Sequence, residues 1–254
     1  MTTGGPAGIE LRIAGAGPAY TDRPGAVGAS YLVRHGSDAI VLDLGQGAFT
    51  NLAGLIEPST LAAVVVSHLH PDHFIDLVSL RHYLRYEFEP PRRMLVIGPP
   101  DLGRRLDALH GEPGFAAAAL DLEDVAETTR SLGSLTLEAR RVRHTAESHA
   151  FRVSAGGPGL VYSGDCGAAD DLAPLIRPGD TLLAEATFGA DPVAPGSNHL
   201  NAHALGRLAA ETGVARLLIT HLLMGRDRAR ALAVAVAIAR VPVAIVDPGD
   251  RFDL

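Results

Sequence analysis

The sequence contains no lysine: all 22 of its basic residues are arginine. That removes Schiff-base chemistry and the phosphate-cradling P-loop lysine, and with them two large enzyme classes. Cysteine occurs once, at Cys166, so no internal disulfide can form. A chain without disulfides suits the reducing cytoplasm, and the N-terminus lacks the basic region and apolar core of an export leader. Long apolar runs are missing as well. The nearest, residues 231–246, is interrupted by Arg240 and Pro242, which argues against a membrane anchor. Nor is there a G-x-S-x-G string, the elbow that presents a serine nucleophile.

What is present is the composition of a globular chain rich in turns: 254 residues, 47% hydrophobic and 20% charged, with 28 glycines and 17 prolines. It is long enough to bury a sizeable core and is expected to form a single domain over residues 1–254. The net charge of −7 opposes long-range capture of a nucleic-acid polymer and leaves a small anionic substrate as the expected partner.

Apolar and β-branched runs between glycine-rich breaks predict strands at 9–14, 30–33, 39–44, 61–67 and 94–97, and again at 135–143, 150–154, 159–163, 181–184, 216–220 and 243–246. Helical spacing predicts helices from Asp72 through Leu84, at 101–109, 202–212 and 227–239. Residues 111–119, rich in glycine and alanine, fit either an ordinary loop or a lid. Strands with later crossover helices imply an α/β fold with two β layers covered by helices.

The chemistry concentrates in the string HLHPDH, residues 68–73. Alternation at a strand end turns His68 and His70 to one side, while Asp72 and His73 sit where the chain bends and can approach from another direction. Two neighbouring metal ions can share such a segment. An anion site with Asp72 as a helix cap is the plainer reading, but it leaves three imidazoles crowded without partners. A catalytic zinc needs about three protein ligands, so one string cannot complete two sites. His144, Asp165 and His221 each follow a predicted strand, and strand ends at one edge of a layered fold converge.

Through HLHPDH, the later His144, Asp165 and His221, and the early LDLGQG string with Asp43, the chain resembles the metallo-β-lactamase superfamily over nearly its whole length. Glu185-Ala-Thr-Phe and the stretch around His199 and His221 are similar to the ribonuclease Z branch and its smaller phosphodiesterase relatives. The resemblance implies a four-layer αβ/βα sandwich. It implies two divalent ions, zinc by default with manganese or iron as alternatives. One ion would be held by His68, His70 and His144, the other by Asp72, His73 and His221, with Asp165 bridging. It further implies a metal-bridging hydroxide as nucleophile, His199 acting on the leaving group, Glu185 orienting His199, and Asp43 supporting the ligand loops. Asp72, His199 and Glu185 are thus the catalytic candidates. Relatives in this branch often form dimers, so a homodimer is expected.

The long arm that ribonuclease Z enzymes use for tRNA has no room between His144 and Asp165. A small phosphodiester, with cyclic nucleotides foremost, is therefore the expected substrate. Alternatives are a lactonase or thioesterase, an arm-less RNA-processing nuclease, and a non-catalytic metal or nucleotide sensor. His149 is an alternative ligand to His144, which the resemblance favours, and His203, four residues after His199 on a predicted helix, could share its face but reads as an ordinary helix histidine. His35, His82 and His110 are expected at the surface, and Cys166 as a buried thiol. Arg81, Arg85, Arg92, Arg93, Arg104 and Arg105 crowd one acid-poor stretch, as either an approach for an anion or a solvated helix face.

Overall fold

The computed structural model describes residues 8–254; residues 1–7, the start of the segment expected to lack an export leader, lie outside the described residues. The first half supplies β1 (Glu10–Gly15), β2 (Ser30–His35), β3 (Asp38–Leu42), β4 (Ala63–Val65), β5 (Met94–Gly98) and β6 (Leu120–Asp124). Between them lie the helices α1 (Ala48–Leu55), α2 (Pro71–Phe74), α3 (Leu77–Tyr86) and α4 (Leu102–His110). The second half supplies β7 (Thr129–Leu132), β8 (Leu135–Arg141), β9 (His149–Ser154), β10 (Leu160–Tyr162), β11 (Thr181–Glu185), β12 (Arg216–Thr220) and β13 (Val243–Ile245), with α5 (Ala202–Thr212) and α6 (Arg228–Ala239). A last strand, β14 (Arg251–Asp253), returns to the first sheet.

Each half forms a seven-stranded sheet, in the orders β14-β1-β2-β3-β4-β5-β6 and β13-β12-β11-β10-β9-β8-β7. In both, antiparallel pairs give way to parallel ones, at β3 in the first sheet and β10 in the second. The inner parallel strands are largely apolar on both faces, as strands covered on both sides must be. Ile40 and Leu42 face the other sheet while Ala39 and Val41 face the helices. Leu218 likewise faces inward, and Leu217 and Ile219 pack under α5 and α6. Helices, sheet, sheet and helices thus stack as the four-layer αβ/βα sandwich. Among the described residues no helix is long and apolar enough to cross a membrane.

The differences from the sequence reading have physical causes. β6 (LDLED) and β7 (TRSL) sit at sheet edges with most side chains at least partly exposed, so neither carries an apolar run. α1 buries only Ala48 and Leu52. The helix predicted from Asp72 divides into α2 and α3, because the Asp76 amide donates to the Leu44 carbonyl and the Asp72 carbonyl accepts the Ala29 amide, so the Asp76-to-Asp72 helical bond is not made. The 111–119 segment is pinned. Phe115 is fully buried, and Arg81 donates to its carbonyl and lies 4.1 Å from the centre of its ring.

Candidate metal centre

The site forms where strands end. Asp43 follows β3, His68 and His70 follow β4, and Asp72 and His73 lie on α2; His144 follows β8, Asp165 follows β10, Glu185 closes β11 and His221 follows β12. The two sheets therefore present their ends to one another across the sandwich, the place where open α/β sheets hold ligands. Asp43 and His221 adopt left-handed backbone, each with φ of 59°, a conformation that non-glycine residues keep where the surroundings impose it.

Two clusters result. The donor atoms of His68, His70, His144 and Asp165 lie within 4.8 Å of one another, and so do those of Asp72, His73 and His221. Asp165 stands between them: its Oδ2 is 3.7 Å from His68 Nε2 and from His144 Nε2, and its Oδ1 is 3.4 Å from His73 Nε2 and 3.6 Å from His221 Nε2. All seven ligand candidates read from the sequence are brought together.

Hydrogen bonds on the outer ring nitrogens fix which nitrogen faces inward. His73 Nδ1 donates to the Asp43 carboxylate at 2.7 Å, and His144 Nδ1 donates to the Asn198 carbonyl at 2.7 Å. The Ser67 hydroxyl donates to Asp43 and so accepts from His68 Nδ1, while His221 Nδ1 lies 3.2 Å from the Thr187 hydroxyl. The neutral rings of His68 and His144 therefore turn bare Nε2 lone pairs to the centre, and the His73 ring also directs its Nε2 inward. His68 Nε2 and His144 Nε2 approach His70 Nδ1 to 3.0 and 3.1 Å, although one ring proton can serve only one of them. Asp165 Oδ1 is buried without any hydrogen-bond partner. Converging lone pairs and an orphaned carboxylate oxygen are what a cation relieves, and the nitrogen and oxygen donors suit divalent zinc, manganese or iron.

The electrostatics divide the clusters. Burial, with His73 nearby, holds His68 well below the usual histidine range; burial also lowers His70 and His144. These stay neutral, as ligation requires. His73 is driven well upward, since Asp165 and Asp43 outweigh the opposing effect of burial, and His221 is raised by Asp165 and Asp72 in the same way. Asp165, though buried, is held well below the carboxylate range by His221 and His73.

His199 is partly exposed at the rim, and its Nδ1 donates to Glu185 Oε1 at 3.0 Å. Burial lowers its pKa, but the Glu185 hydrogen bond together with the Glu185 and Asp165 charges outweighs it, and the net shift is upward. Glu185 and His199 also converge with Asp165. Glu185, however, already accepts the amides of Cys166, Leu200 and Thr187. Its oxygens are committed to positioning, which leaves His199 Nε2 as the nitrogen of that ring facing a cleft of about 440 Å³ shared with His70, Asp72, Asp165, Phe188 and His221.

Thr187, Asn198, Ser67 and Tyr162, which donates to Asp43 at 2.6 Å, were not singled out from the sequence. Thr187 alone carried a signal, two positions after Glu185 at a strand end. His149 is buried in β9 and bonds the Glu147 carbonyl away from the clusters, and His203 is exposed on α5. His110 is exposed as expected, whereas His35 and His82 are half-buried, bonded to Ser134 and to the Val78 carbonyl. Cys166 donates to the Ala168 carbonyl, and burial pushes its thiol up to about 12. Of the six arginines, Arg81 is structural, Arg92 bonds Ser59, Arg93 and Arg104 pair with Asp121 and Asp101, and Arg85 lies over Tyr86. Only Arg105 lines a cleft that reaches the site.

Comparison with known proteins agrees with this geometry. The family described as "Beta-lactamase superfamily domain" matches residues 40–222. An uncharacterised protein of Mycobacterium leprae is 33% identical over 91% of this chain and 84% of its own. A ribonuclease Z of Mycolicibacterium paratuberculosis is 29% identical over 84% and 85%. The crystal structure of the metallo-beta-lactamase fold protein YhfI from Bacillus subtilis superposes with a TM-score of 0.86 at 21% identity, covering 97% of this chain and 99% of the other.

Proposed function

Because the chain belongs to the beta-lactamase superfamily, we propose that it is a dinuclear metal-dependent hydrolase acting on a small phosphodiester such as a cyclic nucleotide. The observation that carries this reading is Asp165, buried between two donor clusters with one oxygen turned to each and His199 3.9 Å away. His68, His70 and His144 would hold one cation, Asp72, His73 and His221 the other, with Asp165 between them. When bound, the pair would draw the pKa of a shared water toward about 7 and neutralise a non-bridging phosphoryl oxygen.

The chain's own groups account for the rest. Asp72 borders the cleft and can accept the proton that the attacking water loses. His199, whose pKa is raised by the Glu185 hydrogen bond and the nearby carboxylate charges against the effect of burial, would in its protonated form give its proton to the departing alkoxide from Nε2. Glu185 cannot swing away, because three backbone amides hold it. A relative named ribonuclease Z supports phosphodiester chemistry. The segment from His144 to Asp165 carries only β9, β10 and their turns, which with the acidic net charge supports a small substrate over a folded RNA.

The test is turnover by the metal-loaded protein of bis(p-nitrophenyl) phosphate and cyclic AMP against a panel of lactones and thioesters. The phosphodiesters are expected to be the better substrates. Rapid turnover of the carbonyl substrates alone would replace this reading with an esterase, and metal binding without any turnover would replace it with a sensor.

A further inference from the structure

Two clefts meet at His70 and share no other residue. The one that His199 lines is walled largely by apolar groups, including Pro18, Phe188 and Leu223. The other, about 380 Å³, runs past Leu69 and Thr145, the neighbours of His70 and His144, to Asp101, Arg105 and Glu147. Its charges are unequally committed. Asp101 is held by Arg104 at 2.7 Å and Glu147 by Arg141. Arg105 meets no carboxylate: among the described residues its guanidinium donates only to the Leu69 carbonyl, at 3.4 Å. That single bond holds the head group beside the ligand string and leaves most of its five donors for something else.

We propose that this second cleft is a subsite for a further phosphate group on the substrate, with Arg105 as the residue that selects for it. The proposal rests on the phosphodiesterase reading and adds the substrate's shape. If His199 protonates the leaving oxygen, the leaving group occupies the cleft that His199 lines. The substituent that stays on phosphorus then extends past His70 toward Arg105. A guanidinium fork with no carboxylate in contact matches a phosphate there, while Asp101 and Glu147 are each bonded to another arginine. The favoured substrate is a phosphodiester whose retained portion carries a second phosphate.

The experiment compares thymidine 3′-(p-nitrophenyl phosphate) with its 5′-phosphorylated form on the metal-loaded protein. Both release p-nitrophenolate, so the leaving group and its proton demand are held constant. The 5′-phosphate is expected to raise kcat/KM about tenfold, the value of one charged hydrogen bond. Arg105→Gln should bring the two substrates to parity while leaving bis(p-nitrophenyl) phosphate unchanged; Arg105→Lys should keep part of the preference, and Arg104→Gln all of it. Equal kcat/KM in the wild type, or a preference that survives Arg105→Gln, overturns the subsite. If neither ester is hydrolysed, the phosphodiesterase reading fails by itself. Calorimetry of thymidine 3′,5′-bisphosphate against thymidine 3′-phosphate then still decides the subsite, through a binding preference of about tenfold that Arg105→Gln either abolishes or leaves in place.

Discussion

His199 and Glu185 separate chemistry from assembly at the scale of single side chains. His199 belongs to neither of the two ligand clusters that flank Asp165, and its Nδ1 is taken by Glu185. His199→Ala is therefore expected to lower kcat on alkyl phosphodiesters by about 10²-fold or more, the usual worth of a general acid, and to leave metal content intact. Aryl esters such as bis(p-nitrophenyl) phosphate, whose leaving group needs no proton, should lose much less. Equal losses on both would show that His199 holds the site together instead of serving the leaving group. The ligand candidates were legible because HLHPDH is an unusual string and because His144, Asp165 and His221 each follow a strand. Ser67, Asn198 and Tyr162 were not. A serine, an asparagine carbonyl and a core tyrosine acquire their roles only when distant segments meet, as when Tyr162 reaches Asp43 from the opposite sheet.

Elements of the second half are tied below the sheet by a buried charge network. Asp180, ahead of β11, accepts two bonds from Arg152 of β9 together with the amides of Gly159 and Arg177. Glu138 of β8 joins it through Arg177 and Arg152. The Arg177 hydrogen bonds hold the Glu138 carboxyl below its ordinary range, so its ionised form favours the folded state. That contribution is present at neutral pH, above the unfolded pKa of about 4.3, and disappears as the pH falls through the depressed folded value. Arg177 is half-exposed, which limits the pair to about 1 kcal/mol. Glu138→Gln should thus lower Tm by a few degrees at pH 7, roughly 2–4 °C. The gap to the wild type should close in melts near pH 3, and a gap independent of pH would assign the loss to packing. The strands of this network were read correctly from their apolar runs, whereas α1, β6, β7 and β14 were missed because edge strands and half-buried helices carry weak periodicity.

At the scale of the whole molecule, the fold class followed from the alternation of strands and helices together with the family resemblance, but the meeting of the two sheets could not be read from periodicity. His73 and His221 stand 3.3 Å apart although 148 positions separate them, and no local pattern encodes that contact. Each sheet supplies part of the donor set: β3 and β4 lead to Asp43, His68 and His70, while β8, β10 and β12 lead to His144, Asp165 and His221. A cation pair would thereby stitch the two halves at their open edge, and the buried Asp165 is the stitch that both sides require. Metal analysis of the reconstituted protein by inductively coupled plasma mass spectrometry tests this most directly. The wild type should retain about two divalent ions per chain after desalting, and Asp165→Ala no more than about one. A wild type that retains none, or an Asp165→Ala variant that keeps two, would contradict the account.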